Sequence, residues 1–203
     1  MSRAPRGLPI LGQVPAVKER ADAARNRLII LQAARKLLKR TGGHLCMDAL
    51  VEAAGVGKGT LYRRFPDRAA VVHAVLDEDS RALQSWALGG CGLDASARQA
   101  DRALALLGGV FDFNFDHASL LCEAQRDSGP DLDHPAYVWQ RHLLAGYLRR
   151  AMRAGEIARL DPALTAELML AGASPDRLRW LAKGSDAGAL RREMLGVWRR
   201  ILR

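Results

Sequence analysis

Residues 47–65 read Met-Asp-Ala-Leu-Val-Glu-Ala-Ala-Gly-Val-Gly-Lys-Gly-Thr-Leu-Tyr-Arg-Arg-Phe. This run constrains the fold more than any other part of the chain. It predicts a short helix from about Met47 to Ala54, a turn at Gly55-Val56-Gly57, and a second short helix from Lys58 to Phe65. Two such helices joined by a glycine-containing turn form a helix-turn-helix unit. Gly55 suits a left-handed turn position that a side chain would strain. Val56 is the apolar residue that ties the turn to the core, and Leu50, Val51, Leu61 and Phe65 are candidates for the shared inner face. Pro66-Asp67 then breaks the chain and starts another helix, with Asp67 as its N-cap.

The flanking sequence is helical by period. In residues 23–40 the apolar positions Ile30, Ala33, Ala34, Leu37 and Leu38 form one stripe, ended by Gly42-Gly43. The helix after Asp67 carries Val71, Val72, Val75, Leu83 and Trp86 and stops at Gly89-Gly90. Further helices are expected near 94–107, 110–126, 135–154, 162–173, 176–183 and 186–202. Asp161-Pro162 and Ser185-Asp186 are start signals for two of these. The last helix is expected to bury Ala187, Leu190, Met194, Trp198 and Ile201, with Arg191, Arg192, Arg199 and Arg200 on its other face. Aromatic residues make up 5% of the 203, and no Val/Ile/Thr-rich alternation occurs, which argues against an all-β sandwich or barrel. The expected fold class is all-α. No apolar run approaches the length of a transmembrane span.

Charge divides the chain. Residues 1–68 hold 14 Lys and Arg against 5 Asp and Glu, whereas residues 69–203 hold 17 of each. The whole net charge of +9 therefore lies in the first third. Such asymmetry points to a polyanion-binding end and an electrically balanced remainder. Three widely spaced cysteines, Cys46, Cys91 and Cys122, supply neither a disulfide framework nor a zinc spacing, and a reducing cytoplasm fits them.

The second short helix offers Lys58, Gly59, Thr60, Tyr62 and Arg63 outward. An α-helix fits the major groove of B-DNA, and its N-terminal side chains reach base edges. Gly59 lets the backbone come close, and Arg63, Arg64 and Arg68 can meet phosphates. Two other readings of a basic end remain open on pattern alone. One is an enzyme or carrier with an acidic substrate, and the other is an architectural DNA binder without sequence preference.

The run from Ala54 to Arg68, with the preceding stripe and Gly-Gly break, resembles the signature of TetR/AcrR-type transcriptional regulators over about residues 23–76. The resemblance implies a sequence-specific DNA-binding regulator, not an enzyme and without a cofactor, in three parts. Residues 1–22 would form a flexible basic arm, 23–67 a three-helix DNA-binding unit, and 68–203 a helical effector and dimerisation domain. It implies that Lys58, Gly59 and Thr60 approach base edges, Tyr62 touches backbone or base, and Arg63, Arg64 and Arg68 contact the phosphate backbone. It also implies a homodimer on a near-palindromic operator, repression relieved by a small-molecule effector, and a cytoplasmic location with no membrane partner. Three positions depart from the family pattern. Cys46 and Gly57 stand where capping hydroxyls are common, and Asp48 stands near a position often basic and would repel a close phosphate.

For the effector, expected to be apolar, the candidate wall is Phe111, Phe115, Tyr137, Trp139 and Met169, with His117 as a polar contact. Asp112-Phe-Asn114-Phe-Asp116 followed by Glu123 approaches a calcium-loop pattern, but His117 occupies the position that needs glycine. No pair among His117, His134, His142 and Cys122 has metal-ligand spacing, so no metal site is expected. Cys46 is expected to be buried and inert.

Overall fold

The computed structural model describes residues 21–124, 132–184 and 186–203. All but the last two residues of the expected 1–22 arm lie outside them. The helices are α1 (Ala21–Arg40), α2 (Met47–Ala54), α3 (Lys58–Arg64), α4 (Arg68–Leu88), α5 (Gln99–Asp116), α6 (Ala118–Ala124), α7 (Pro135–Arg153), α8 (Pro162–Gly172), α9 (Pro175–Leu181) and α10 (Ala187–Ile201). No strand occurs among the described residues, so the fold is all-α. Two compact units divide within α4, between Arg81 and Ala82.

The N-terminal unit, here called the head, is built on the stripe of α1. Ile30, Ala33, Ala34, Leu37 and Leu38 are all buried, together with Leu31. They share the core with Leu45, Leu50, Leu61, Phe65, Val71 and Val75. Arg35 ties α1 to α4, with Nε donating to Asp79 at 2.8 Å and Nη2 to Glu78 at 2.9 Å. The Arg27 guanidinium lies 5.5 Å from the centre of the Phe65 ring.

The C-terminal unit, the body, centres on α5 and α7, which contribute Leu106, Leu107, Val110, Trp139, Leu144 and Leu148 to one buried cluster. Capping accounts for several helix starts. Asp161 accepts from the Ala163 and Leu164 amides at 2.8 and 2.9 Å, and Asp186 accepts from the Ala189 amide at 2.9 Å. His134 Nδ1 does the same for Ala136.

Two expectations for the body need correction. Gly108-Gly109 is not a break between helices, because α5 runs unbroken through both. A Cβ at Gly109 would sit 2.5 Å from Trp86 Cζ3, and one at Gly108 would sit 2.9 Å from Arg191 Nη2. The glycines thus give a Trp ring and an Arg side chain room against the helix, and α5 stops only at His117. In α10, Trp198 is the one helical residue fully buried, and Ile201 is exposed. Arg191 is not simply solvated, since it grips Asp112 with two hydrogen bonds of 2.7 and 3.0 Å.

Candidate nucleic-acid interface

The turn between α2 and α3 follows from three residues. Gly55 adopts φ 63° and ψ 29°, the left-handed conformation that glycine takes without strain. Its amide donates to Glu52 O at 3.2 Å, and the Val56 amide reaches back to Val51 O at 3.4 Å. This pair of bonds is a Schellman closure, in which the last turn's carbonyls are satisfied by the reversing chain. Val51 and Val56 are each half-buried beside the fully buried Leu50. Gly57 then starts α3 without a side-chain cap, and Cys46 likewise gives α2 none. Contrary to expectation, Cys46 is exposed.

α3 presents two faces. Leu61 and, just beyond the helix, Phe65 are buried, which fixes the rotation of the helix on the head. Truncating a buried Leu of this kind costs about 2–5 kcal/mol. On the opposite side Lys58, Gly59, Tyr62 and Arg63 are exposed, while Thr60 and Arg64 are half-buried. A Cβ built at Gly59 meets nothing within 4 Å, so packing inside the head does not require glycine there.

Lys58 and Arg68 are both engaged within the head. Lys58 Nζ donates to Asp48 Oδ1 at 2.8 Å, and the ammonium also lies 6.0 Å from the centre of the Tyr62 ring. The hydrogen bond to Asp48, then its charge, holds the Lys58 ammonium protonated to higher pH than an isolated lysine. Arg68, half-buried at the start of α4, donates from Nη2 to Gly43 O at 3.1 Å and so ties the α1–α2 loop to α4. Beside it Asp67 accepts from the Ala70 amide at 2.8 Å and caps α4 as its sequence position predicts. The seven candidate residues thus lie on one short helix and the entry to the next. Sequence pattern placed Asp48 as a repulsive neighbour. Its pairing with Lys58 needs two first turns to meet in space, and nothing local signals that.

Of the body candidates, Phe115 lines a groove together with Ala118, Arg179, Ala182 and Lys183. Phe111, Trp139 and Met169 are buried. Phe115 stacks on Phe111 with ring centres 5.7 Å apart, and His117 meets the Phe113 ring edge at 4.9 Å. The Tyr137 hydroxyl donates to Glu167, whose other oxygen accepts from Arg141 at 2.9 Å. Burial and the bond to Glu167 push the Tyr137 hydroxyl well above its ordinary value. Burial pushes the Glu167 carboxyl up, but its bonds from Tyr137 and Arg141 outweigh that and hold it below the carboxylate range. The indole Nε1 of Trp139 is buried and finds no hydrogen-bond partner among the described residues.

Several body residues were missed by pattern. Arg102, nearly buried, donates to the carbonyls of Gly90 and Asp94 and so holds the α4–α5 loop. Tyr147 donates to Ala87 O at 3.2 Å, with Cys91 Sγ 3.9 Å from its hydroxyl. Asp112, Asn114 and Asp116 of the would-be calcium loop sit on α5, with Asp112 held by Arg191 and Asn114 donating to Ala173 O at 2.8 Å. Among the described residues no cluster of three His, Cys, Asp or Glu could hold a metal ion, and no helix is long and apolar enough to cross a membrane.

A basic three-helix head with its turn-led helix facing outward, joined to a helical body, defines a helix-turn-helix DNA-binding protein. Residues 30–75 match the family model described as bacterial regulatory proteins, tetR family. The match spans the helix-turn-helix and its flanking helices, and over these residues the chain is similar to the tetR family. No curated protein sequence matches the chain. Among solved structures, a TetR-family protein from Rhodococcus sp. superposes with a TM-score of 0.67 at 24% identity, covering 88% of this chain and all of that one. A TetR-family regulator from Pectobacterium atrosepticum superposes at 0.66 and 21% identity, over 92% of this chain and 96% of that one. The regulator FadR from Bacillus subtilis, solved in complex with stearoyl-CoA, superposes at 0.61 and 18% identity, over 84% and 96%.

Proposed function

We propose that the chain is a homodimeric repressor that reads a near-palindromic operator with α3 and leaves it when a small-molecule effector enters the body. The observation that carries this reading is the two-sided α3. Leu61 and Phe65 lock one side into the head, while Lys58, Gly59, Tyr62 and Arg63 face outward. Lys58, Gly59 and Thr60 read base edges, Tyr62 touches backbone or base, and Arg63, Arg64 and Arg68 hold phosphates. Residues 1–22 act as a basic arm, 23–67 as the reading unit, and 68–203 as the effector and dimer domain.

Dimerisation is supported by apolar side chains that a single chain leaves uncovered. Leu164 and Leu168 of α8 are 59% and 66% exposed, and Val197 and Ile201 of α10 are 46% and 51% exposed. Exposed apolar surface of this kind marks an interaction face. A two-fold dimer sets its recognition helices about 34 Å apart, or a multiple of it, which demands an inverted repeat. For the effector, Phe111, Phe115, Trp139 and Met169 offer an apolar surround, and His117 and Tyr137 offer polar contacts. Among the described residues Trp139 Nε1 lacks the partner that buried donors normally have, and a ligand acceptor would satisfy it. The FadR structure with stearoyl-CoA is a precedent for a ligand in this fold. Effector and operator then favour different states of the dimer, with α4 carrying the change. The setting is the cytoplasm.

Selection from random duplexes with purified protein tests this reading. Enrichment of an inverted repeat is expected. Tight binding without enrichment would make the chain an architectural DNA binder. Substrate turnover with no duplex preference would make it an enzyme.

A further inference from the structure

Arg179 on α9 and Lys183 just beyond its end lie four residues apart, and both are exposed. Among the described residues neither has an ion-pair partner. Like charges at this spacing repel along a helix, so an anion between them would relieve the pair. They flank a groove of about 210 Å³ whose other walls are Phe115, Ala118 and Ala182. Phe115 is half-buried and stacks on the buried Phe111, so the apolar wall continues into the body. Asn114 fastens this end of α5 to Ala173 O at 2.8 Å, which steadies the wall opposite α9.

We propose that this groove binds a free single-chain aliphatic carboxylate, with its tail along Phe115, Ala118 and Ala182 and its carboxylate between Arg179 and Lys183. Its volume is below the ~300 Å³ at which pockets begin to hold drug-sized ligands, so the occupant is slim. Among the described residues the two cations are the sole charged groups lining the groove, and no hydroxyl or amide side chain joins them. A polyhydroxylated ligand would therefore bury unpaired hydroxyls, whereas an alkyl chain has none. The guanidinium supplies a fork that matches a carboxylate, and the ammonium adds a second charge. This rests on the reading of the body as an effector domain and names the effector's chemical class.

Calorimetric titration of the full chain with decanoate below its micelle concentration tests the proposal, with decanol, acetate and phosphatidylglycerol vesicles as comparison probes. Decanoate binds, and decanol and acetate bind at least about tenfold more weakly, because each lacks one half of the match. The double variant Arg179→Gln, Lys183→Gln loses about tenfold in decanoate affinity and keeps its affinity for decanol. Arg177→Gln, which removes a neighbouring cation outside the groove, leaves decanoate affinity unchanged. Both groove cations are exposed, so the double variant keeps the parent melting temperature. No decanoate binding, unchanged affinity in the double variant, an equal loss in Arg177→Gln, or binding to vesicles alone would each overturn the proposal. A chain that selects an operator but ignores decanoate loses this inference only, and one that binds decanoate but no duplex loses the regulator reading only.

Discussion

Asp48 and Lys58 stand in the first turns of consecutive helices, and the Asp48 carboxylate accepts a hydrogen bond from the Lys58 ammonium at 2.8 Å. The cation proposed to enter the DNA groove is therefore already paired within the chain. Both side chains are about two-thirds exposed, at 65% and 69%, so the pair is weak and easily exchanged. Exchange nevertheless leaves a carboxylate facing a polyanion.

From this arrangement Asp48→Asn should strengthen duplex binding several-fold, with the largest gain at low salt, where exposed charges are least screened. Fluorescence anisotropy across a salt series checks it. Equal or weaker binding by the variant would show that Asp48 serves the interface by aiming Lys58.

Gly59→Ala separates folding from recognition. The added Cβ meets no atom within 4 Å, and alanine favours a helix over glycine by about 0.5–1 kcal/mol. The variant should melt higher yet bind the operator at least about tenfold more weakly, because the methyl occupies the space the groove wall needs. Stability gained with operator affinity intact would remove Gly59 from the interface.

In the body, Gly109→Ala should destabilise by about 1–3 kcal/mol, read by thermal or urea unfolding, because its Cβ would lie 2.5 Å from the Trp86 ring. Here sequence and structure part company. Gly-Gly punctuation marks the true end of α1 at Gly42-Gly43 and marks nothing at Gly108-Gly109. The difference lies in what packs across the helix, and no local pattern carries that. The head was legible because its signals are local: a stripe in α1, a glycine turn after α2, a cap at Asp67. The body candidates were less so, because Phe111, Trp139 and Met169 have the same apolar spacing whether they fill a core or line a pocket.

Tyr147 makes a pH prediction. Burial pushes its hydroxyl up to about 12, against 10 for the free side chain. The unfolded chain therefore loses this proton first, between pH 10 and 12, and the folded state loses stability across that window as pH rises. The loss is on the order of 1–2 kcal/mol. Tyr147→Phe should flatten the alkaline limb of an unfolding series for this contribution. Near neutral pH it should cost about 0.5–1.5 kcal/mol for the bond to Ala87 O, toward the low end because the Gly90 amide also donates there at 3.1 Å.

The division of labour at the head is open to the most direct test. Duplex selection and salt titration are run in parallel on the parent chain, Lys58→Ala and Arg68→Ala. The account predicts that Lys58→Ala flattens the preference for the enriched inverted repeat, by roughly tenfold against random duplex. Arg68→Ala should weaken every duplex alike and lower the salt slope by about one. Two variants that shift all sequences by the same factor would contradict the claim that the start of α3 reads bases.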